Sequence, residues 1–172
     1  MSGQPVPVVV MGVTGSGKTT VGKLLAERMI CAFFDADDFH PPANVEKMKS
    51  GQPLNDADRL PWLERLRELI HDELQAGRSL VLACSALRQK YRDLLSASTR
   101  QVVFLYLKID RATARARLES RAGHYMPASL IPSQFEALEE PEHATVINGE
   151  LPPSEAVAAA LHQLRSLYSV GA

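Results

Sequence analysis

Gly12, Gly17, Lys18 and Thr19 stand in the order Gly-x-x-x-x-Gly-Lys-Thr within MGVTGSGKTT, residues 11–20. These residue types at this spacing suit one chemistry, the gripping of a nucleotide's phosphates. Gly12, Gly15 and Gly17 let the backbone turn so that N–H groups face inward, with Ser16, Thr19 and Thr20 completing the rim. A helix starting at Lys18 brings the positive end of its dipole to the same point. Lys18 then reaches the β- and γ-phosphates, and the Thr19 hydroxyl suits Mg²⁺. The motif follows a β-branched run and opens a helical pattern, the context this mechanism requires. A glycine-rich turn that binds nothing is the bland alternative, and the context disfavours it. The expectation is a site for a nucleoside triphosphate.

The acids narrow what the triphosphate is for. Molecular motors and switch GTPases carry an acid at the end of a buried strand, but here the third apolar run ends Leu82-Ala83-Cys84-Ser85. The base-reading Asn-Lys-x-Asp sequence of GTPases is also missing. Asp35, Asp37 and Asp38 follow the second apolar run instead. A carboxylate there projects from the carboxyl edge of a sheet beside the phosphate loop, where it can hold an acceptor hydroxyl in line with the γ-phosphate. If the segment stays extended, Asp35 and Asp37 point to one side. Asp37 is then assigned to the acceptor, Asp35 to the metal, and Asp38 faces away. Helix capping or solvation is the alternative role for these acids.

Alternating elements position these groups. Strands are expected over Val6–Met11, Ala32–Phe34, Ser79–Cys84, Val102–Leu107 and Ala144–Ile147, each a short apolar run. Helical spacing covers Lys18–Met29, Trp62–Gln75, Arg88–Leu95 and Ala112–Arg121, and a last helix runs from Ser154 to near Tyr168. Pro61 is placed in the first turn of its helix, where a missing N–H does no harm. Strand and helix in alternation predict an α/β fold with a parallel sheet and right-handed crossovers. Two stretches break the alternation, about 39–61 and about 122–135, and both are expected to be insertions that build binding sites.

The chain has 172 residues, 45% apolar and 23% charged, which fits a single domain over 1–172. A net charge of −1 without long runs of like charge argues against bulk binding to nucleic acid or an anionic membrane. Cys31 and Cys84 sit among apolar residues and read as packed thiols. Apolar stretches fall far short of the ~18 residues a membrane span needs, and residues 1–7 lack the pattern of a signal peptide. The expected setting is cytoplasmic.

Four segments together resemble the gluconokinase family, small phosphate-loop kinases akin to shikimate and adenylate kinases. They are MGVTGSGKTT (11–20), FFDADDFHPPANVEKMKSGQPLNDADRLPWL (33–63), CSALRQKYRDLL (84–95) and RAGHYMPASLIPSQFEALEEP (121–141). The resemblance implies a three-layer P-loop kinase fold on a five-stranded parallel sheet, with a substrate-binding insertion and a lid. It implies transfer of phosphate from ATP, with Mg²⁺, to the 6-hydroxyl of D-gluconate, usually in a homodimer. It also makes Arg117 and Arg121 phosphate or adenine contacts, Arg121 with a catalytic role beside Lys18 and Asp37; a solvated basic helix face is the alternative. His124 and Tyr125 fall in the implied lid, Tyr125 where the family often has Phe, and Asn148-Gly149 is a candidate loop near the adenine.

A sugar acid requires a cation for its carboxylate and mixed donors and acceptors for its hydroxyls. Arg59 and Arg88 suit the carboxylate because guanidinium offers paired planar donors. His40, Asn44 and Lys47 are candidate hydroxyl contacts. Each has a structural alternative: His40 as a helix cap, Lys47 as a solvated charge, and Arg59 as partner of Asp56 or Asp58. Met48, Trp62 and Leu63 are placed in the core beneath. Two other readings stay open: the same chemistry on shikimate, a nucleoside monophosphate or another sugar acid, and a nucleotide-binding switch without a small acceptor.

Overall fold

The run Val8-Val9-Val10-Met11 has no polar face, so it must lie in the middle of a sheet covered on both sides. In the computed structural model, which describes residues 4–121 and 128–169, it does. Strands β1 (Pro7–Met11), β2 (Ala32–Asp35), β3 (Leu80–Ala83), β4 (Val103–Lys108) and β5 (Thr145–Asn148) form one sheet in the order β2-β3-β1-β4-β5. Every pairing is parallel, and Val8 sits opposite Val81 on one side and Val103 on the other.

Helices α1 (Lys18–Met29), α2 (Pro42–Lys49), α3 (Asp56–Gln75), α4 (Gln89–Leu95), α5 (Arg111–Glu119), α6 (Ile131–Ala137) and α7 (Pro153–Ser169) connect or follow the strands. Alternation along β1 divides the core. Val9 and Met11 pack with Leu66 and Ile70 of α3, whereas Val8 and Val10 pack with Leu25 of α1 and Val157 of α7. These β1 side chains are fully buried, and each contributes about 1.5–3 kcal/mol. A third cluster joins Val13, Ala114, Leu118 and Ile131 above the carboxyl ends of the strands.

The sheet and its three layers match the expectation, and three local features correct it. First, α3 begins at Asp56 and contains Pro61 in its interior. Asn55 and Asp58 form a reciprocal cap, Asp58 N–H to Asn55 Oδ1 at 2.8 Å and Asn55 N–H to Asp58 Oδ2 at 2.9 Å, which starts the helix before the proline. Arg59 therefore rides on a helix. Second, residues 36–39 leave the extended conformation in a 3-10 turn, with the Asp35 carboxylate accepting from Asp37 N–H at 3.1 Å. Third, the stretch expected as an irregular lid over 122–135 contains a short 3-10 turn (Ala128–Leu130) and then α6. Ile131 of α6 is buried against Val13 and Leu118, so this part is packed on the body. Gly123, His124 and Tyr125 lie outside the described residues.

Candidate active site

The phosphate loop leaves the carboxyl end of β1. Gly17 has φ 93°, a left-handed conformation that turns the chain directly into α1. The first intrahelical bond is Val21 N–H to Gly17 C=O at 2.9 Å. The amides of Lys18, Thr19 and Thr20 therefore precede the helical ladder and remain available to an anion. Gly12 instead permits a close approach, since a Cβ there would lie 2.8 Å from both the Leu107 carbonyl and Ser16 Oγ. Ser16 donates its N–H to Val13 C=O at 3.2 Å, and its Oγ is buried without a partner among the described residues. Gly12 and Ser16 shape the loop, whereas Gly15, Gly17, Lys18, Thr19 and Thr20 line the cavity it encloses.

That cavity, about 130 Å³, is also lined by Asp35, Asp37 and Arg121. Lys18 Nζ donates to Val13 C=O at 3.0 Å. Burial holds the Lys18 amine below the ordinary lysine value, with the Asp37 carboxylate acting in the opposite sense. Thr19 Oγ1 donates to Asp35 Oδ2 at 2.9 Å. Asp35 and Asp37 thus reach one cavity as expected, but through a turn that Asp35 itself caps rather than through an extended strand. Asp38 does not line this cavity; it borders a neighbouring surface hollow with Lys23 and Phe39, on the other side of Thr19 and Asp35. Cys84 closes the floor, and burial pushes its thiol up to about 12.

A second cavity, about 220 Å³, adjoins the first and is walled by α3, the β3–α4 loop and α6. Its polar lining includes His40, Arg59, Arg88 and Tyr91. Asp56 is held by Lys90 and accepts from the Tyr91 hydroxyl at 2.6 Å, and these bonds bring its carboxyl down to about 2. Asp58 pairs with Lys47 at 2.6 Å. Arg59 therefore turns to the Leu54 carbonyl and to the Tyr91 hydroxyl at 3.5 Å, its guanidinium on the cavity wall. Arg88 stands 4.0 Å from Asp56. Asp37, Ser85 and Gln134 line both cavities, so the phosphate cradle and the second pocket meet at these side chains. Two joined cavities, one for phosphates and one bearing two guanidinium groups and a carboxylate at the junction, suit phosphoryl transfer to a small anion.

Comparison with known proteins fits this geometry. The shikimate kinase family model matches residues 14–161. Gluconokinase from Gluconobacter oxydans (strain 621H) is 46% identical over 149 residues, covering 85% of this chain and 84% of the relative. Thermosensitive gluconokinase from Escherichia coli (strain K12) is 46% identical over 134 residues, covering 78% and 72%. The chain belongs to the gluconokinase family. A crystal structure of a gluconokinase from Sinorhizobium meliloti 1021 superposes with a TM-score of 0.86 at 38% identity, covering 97% of this chain and 95% of that one. The gluconokinase-family P-loop fold is thereby shared over nearly the whole length.

Several site expectations for this gluconokinase-family chain are redistributed by the structure. Asn44 is buried, its amide donating to Asp58 C=O at 2.8 Å and lying 3.4 Å from His40 Nδ1. Asn44 and Lys47 stand behind the wall and do not line the second cavity, because Asp58 and His40 take up their polar groups. Arg117 grips the outside of the phosphate loop, donating to the carbonyls of Gly15 (3.2 Å), Ser16 (3.3 Å) and Gly149 (2.8 Å). Its guanidinium ties the loop to the Asn148–Gly149 turn and is not part of the cavity lining. On the same helix Arg111 and Arg115 are exposed, Arg111 over the Phe135 ring at 5.4 Å. Trp62 and Leu63 are core as expected, Trp62 also bordering the second cavity, whereas Met48, expected in the core, is half-buried and lines that cavity.

Sequence reasoning missed Ser85, Tyr91, Arg92 and Gln134. Arg92 is 3% exposed, with every guanidinium nitrogen engaged: the carbonyls of Ala86 (2.8 Å), Leu87 (3.1 Å) and Glu139 (2.9 Å), and the Gln89 side chain. It holds the β3–α4 loop, in which Ala86 adopts φ 44°, and so positions Ser85 and Arg88. The one available signal was an arginine on the buried stripe of a short helix.

Proposed function

We propose that this protein transfers the γ-phosphoryl group of ATP to the 6-hydroxyl of D-gluconate, giving 6-phospho-D-gluconate, ADP and a proton. The carrying observation is Asp37, whose exposed carboxylate belongs to the walls of both cavities. The gluconokinase relatives supply the acceptor's identity, and Arg59 and Arg88 supply charge for its carboxylate. Asp37 orients the 6-hydroxyl and receives its proton as the new P–O bond forms. Lys18 and Arg121 offset charge on the phosphate oxygens, and the loop amides fix their positions.

Mg²⁺ belongs to this proposal. It keeps several waters and binds through one or two protein oxygens plus substrate phosphates. Thr19 Oγ1 and Asp35, hydrogen-bonded at the rim of the cradle, fit that donor set and would hold the ion. When bound, Mg²⁺ neutralises charge on the β- and γ-phosphates. Among the described residues no helix is long and apolar enough to cross a membrane. The homodimer and the cytoplasmic setting remain part of the proposal; sedimentation of the purified chain tests the first.

The deciding experiment offers D-gluconate, shikimate and a nucleoside monophosphate with Mg·ATP and follows ADP release. Turnover on gluconate far above the others is expected. Turnover on shikimate alone, or slow hydrolysis indifferent to any acceptor, would overturn the reading.

A further inference from the structure

Gln134 lies 120 residues from the phosphate loop and yet closes it, its Oε1 accepting from Thr14 N–H at 2.7 Å. A backbone N–H can only donate, so the oxygen faces Thr14 and the orientation of the amide is settled. The Nε2 group is turned the other way, and among the described residues nothing accepts its protons. The same side chain lines both cavities.

The helix that carries it is braced at both ends. Ile131 is buried against Val13, Ala114 and Leu118. Beyond α6, Glu139 N–H donates to Leu87 C=O at 2.8 Å, its carboxylate accepts from Gln89 N–H at 2.6 Å, and Arg92 donates to its carbonyl. The amide is thus fixed relative to the phosphate loop on one side and to the loop bearing Ser85 and Arg88 on the other. Such bracing is what a group needs in order to act without reorganising during the reaction.

We propose that Gln134 is a further catalytic residue, its Nε2 donating to a non-bridging oxygen of the phosphoryl group in flight. The attacking hydroxyl is a poor recipient for that bond, because a donor on its lone pair would weaken the nucleophile. Phosphoryl oxygens gather negative charge and strengthen the bond as transfer proceeds. This inference rests on the kinase reading above. If the wild-type chain fails to phosphorylate gluconate, that reading falls; if it succeeds, only the Gln134 variants bear on the present assignment.

The test measures gluconate turnover and calorimetric binding of Mg·ADP for Gln134→Leu and Gln134→Glu. ADP fills the cradle without a transferring group, so it reports loop geometry alone. Gln134→Leu is expected to lose about 10–100-fold in kcat while Mg·ADP affinity stays within about threefold. Gln134→Glu keeps an oxygen for Thr14 but no donor, so it should fold like wild type and lose at least as much kcat. A kcat within about threefold of wild type in either variant would overturn the assignment. So would a loss of Mg·ADP affinity in Gln134→Leu equal to its loss in kcat, which would reduce Gln134 to a loop anchor. If Gln134→Leu does not fold, the kcat of Gln134→Glu decides.

Discussion

The imidazole of His40 lies flat on the indole of Trp62, with ring centroids 4.2 Å and planes 14° apart. Trp62 also donates Nε1–H to the Ala36 carbonyl at 2.7 Å. Between them these contacts fix both ends of the 3-10 turn that carries Asp37, and His40 Nε2 stands 3.9 Å from Asp37 Oδ1. Trp62 therefore determines where the junction carboxylate sits, although it lies on α3 and Asp37 follows β2.

Asp37→Asn keeps the size of the side chain and removes its ability to take a proton. Its kcat for gluconate should fall by about 10²–10⁴-fold, with KM for ATP nearly unchanged. Steady-state kinetics with each substrate varied in turn checks this.

Arg59→Ala removes a guanidinium from the second cavity while leaving the phosphate cradle intact. A lost charge-assisted hydrogen bond predicts a rise of about 10–100-fold in KM for gluconate, with KM for ATP little changed. Arg59→Lys should restore only part of this, because an ammonium lacks the planar fork. Equal effects on both substrates would remove Arg59 from the acceptor pocket.

Burial, reinforced by the Arg59 charge, brings the His40 imidazole down from the ordinary 6.5 to about 4. The unfolded chain then binds more protons than the folded one between those values. Stability from this group is complete above pH 6.5 and is lost as pH falls towards 4, on the order of 2–3 kcal/mol in all. Phenylalanine can stack on Trp62 but does not titrate. Urea unfolding across this range should therefore show a shallower pH slope for His40→Phe than for wild type, by up to one proton.

Ile30 ends α1 in the left-handed region at φ 53° and is 94% exposed. A β-branched residue in that conformation is strained by about 1–2 kcal/mol, and its exposure brings no compensating burial. Ile30→Gly should raise stability by about 0.5–1 kcal/mol, measured by thermal or urea unfolding, without changing kcat.

The phosphate loop, the alternation of strand with helix and the cluster of acids at the carboxyl end of β2 were all legible in the residues, because each depends on near neighbours. Glycine spacing dictates a turn, an unbroken valine run demands a central strand, and a period near 3.6 marks a buried helix face. Proline was less informative. Pro61, expected in the first turn of its helix, lies inside α3, because the reciprocal cap of Asn55 and Asp58 starts that helix at Asp56.

Folding alone decided which polar groups face the cavities. Arg59, Lys47 and Asn44 were all candidate acceptor contacts in the sequence, yet Asp58 takes up Lys47 and Asn44 and leaves Arg59 on the wall. Gln134 on Thr14, Arg117 on Gly15 and Arg92 on Glu139 are side-chain bonds to backbone across long separations. A bond of that kind needs one donor at one place in space and imposes no period on the chain. Local patterning thus determined the family of folds and the phosphate site, and the packing of distant elements determined how the second pocket is built.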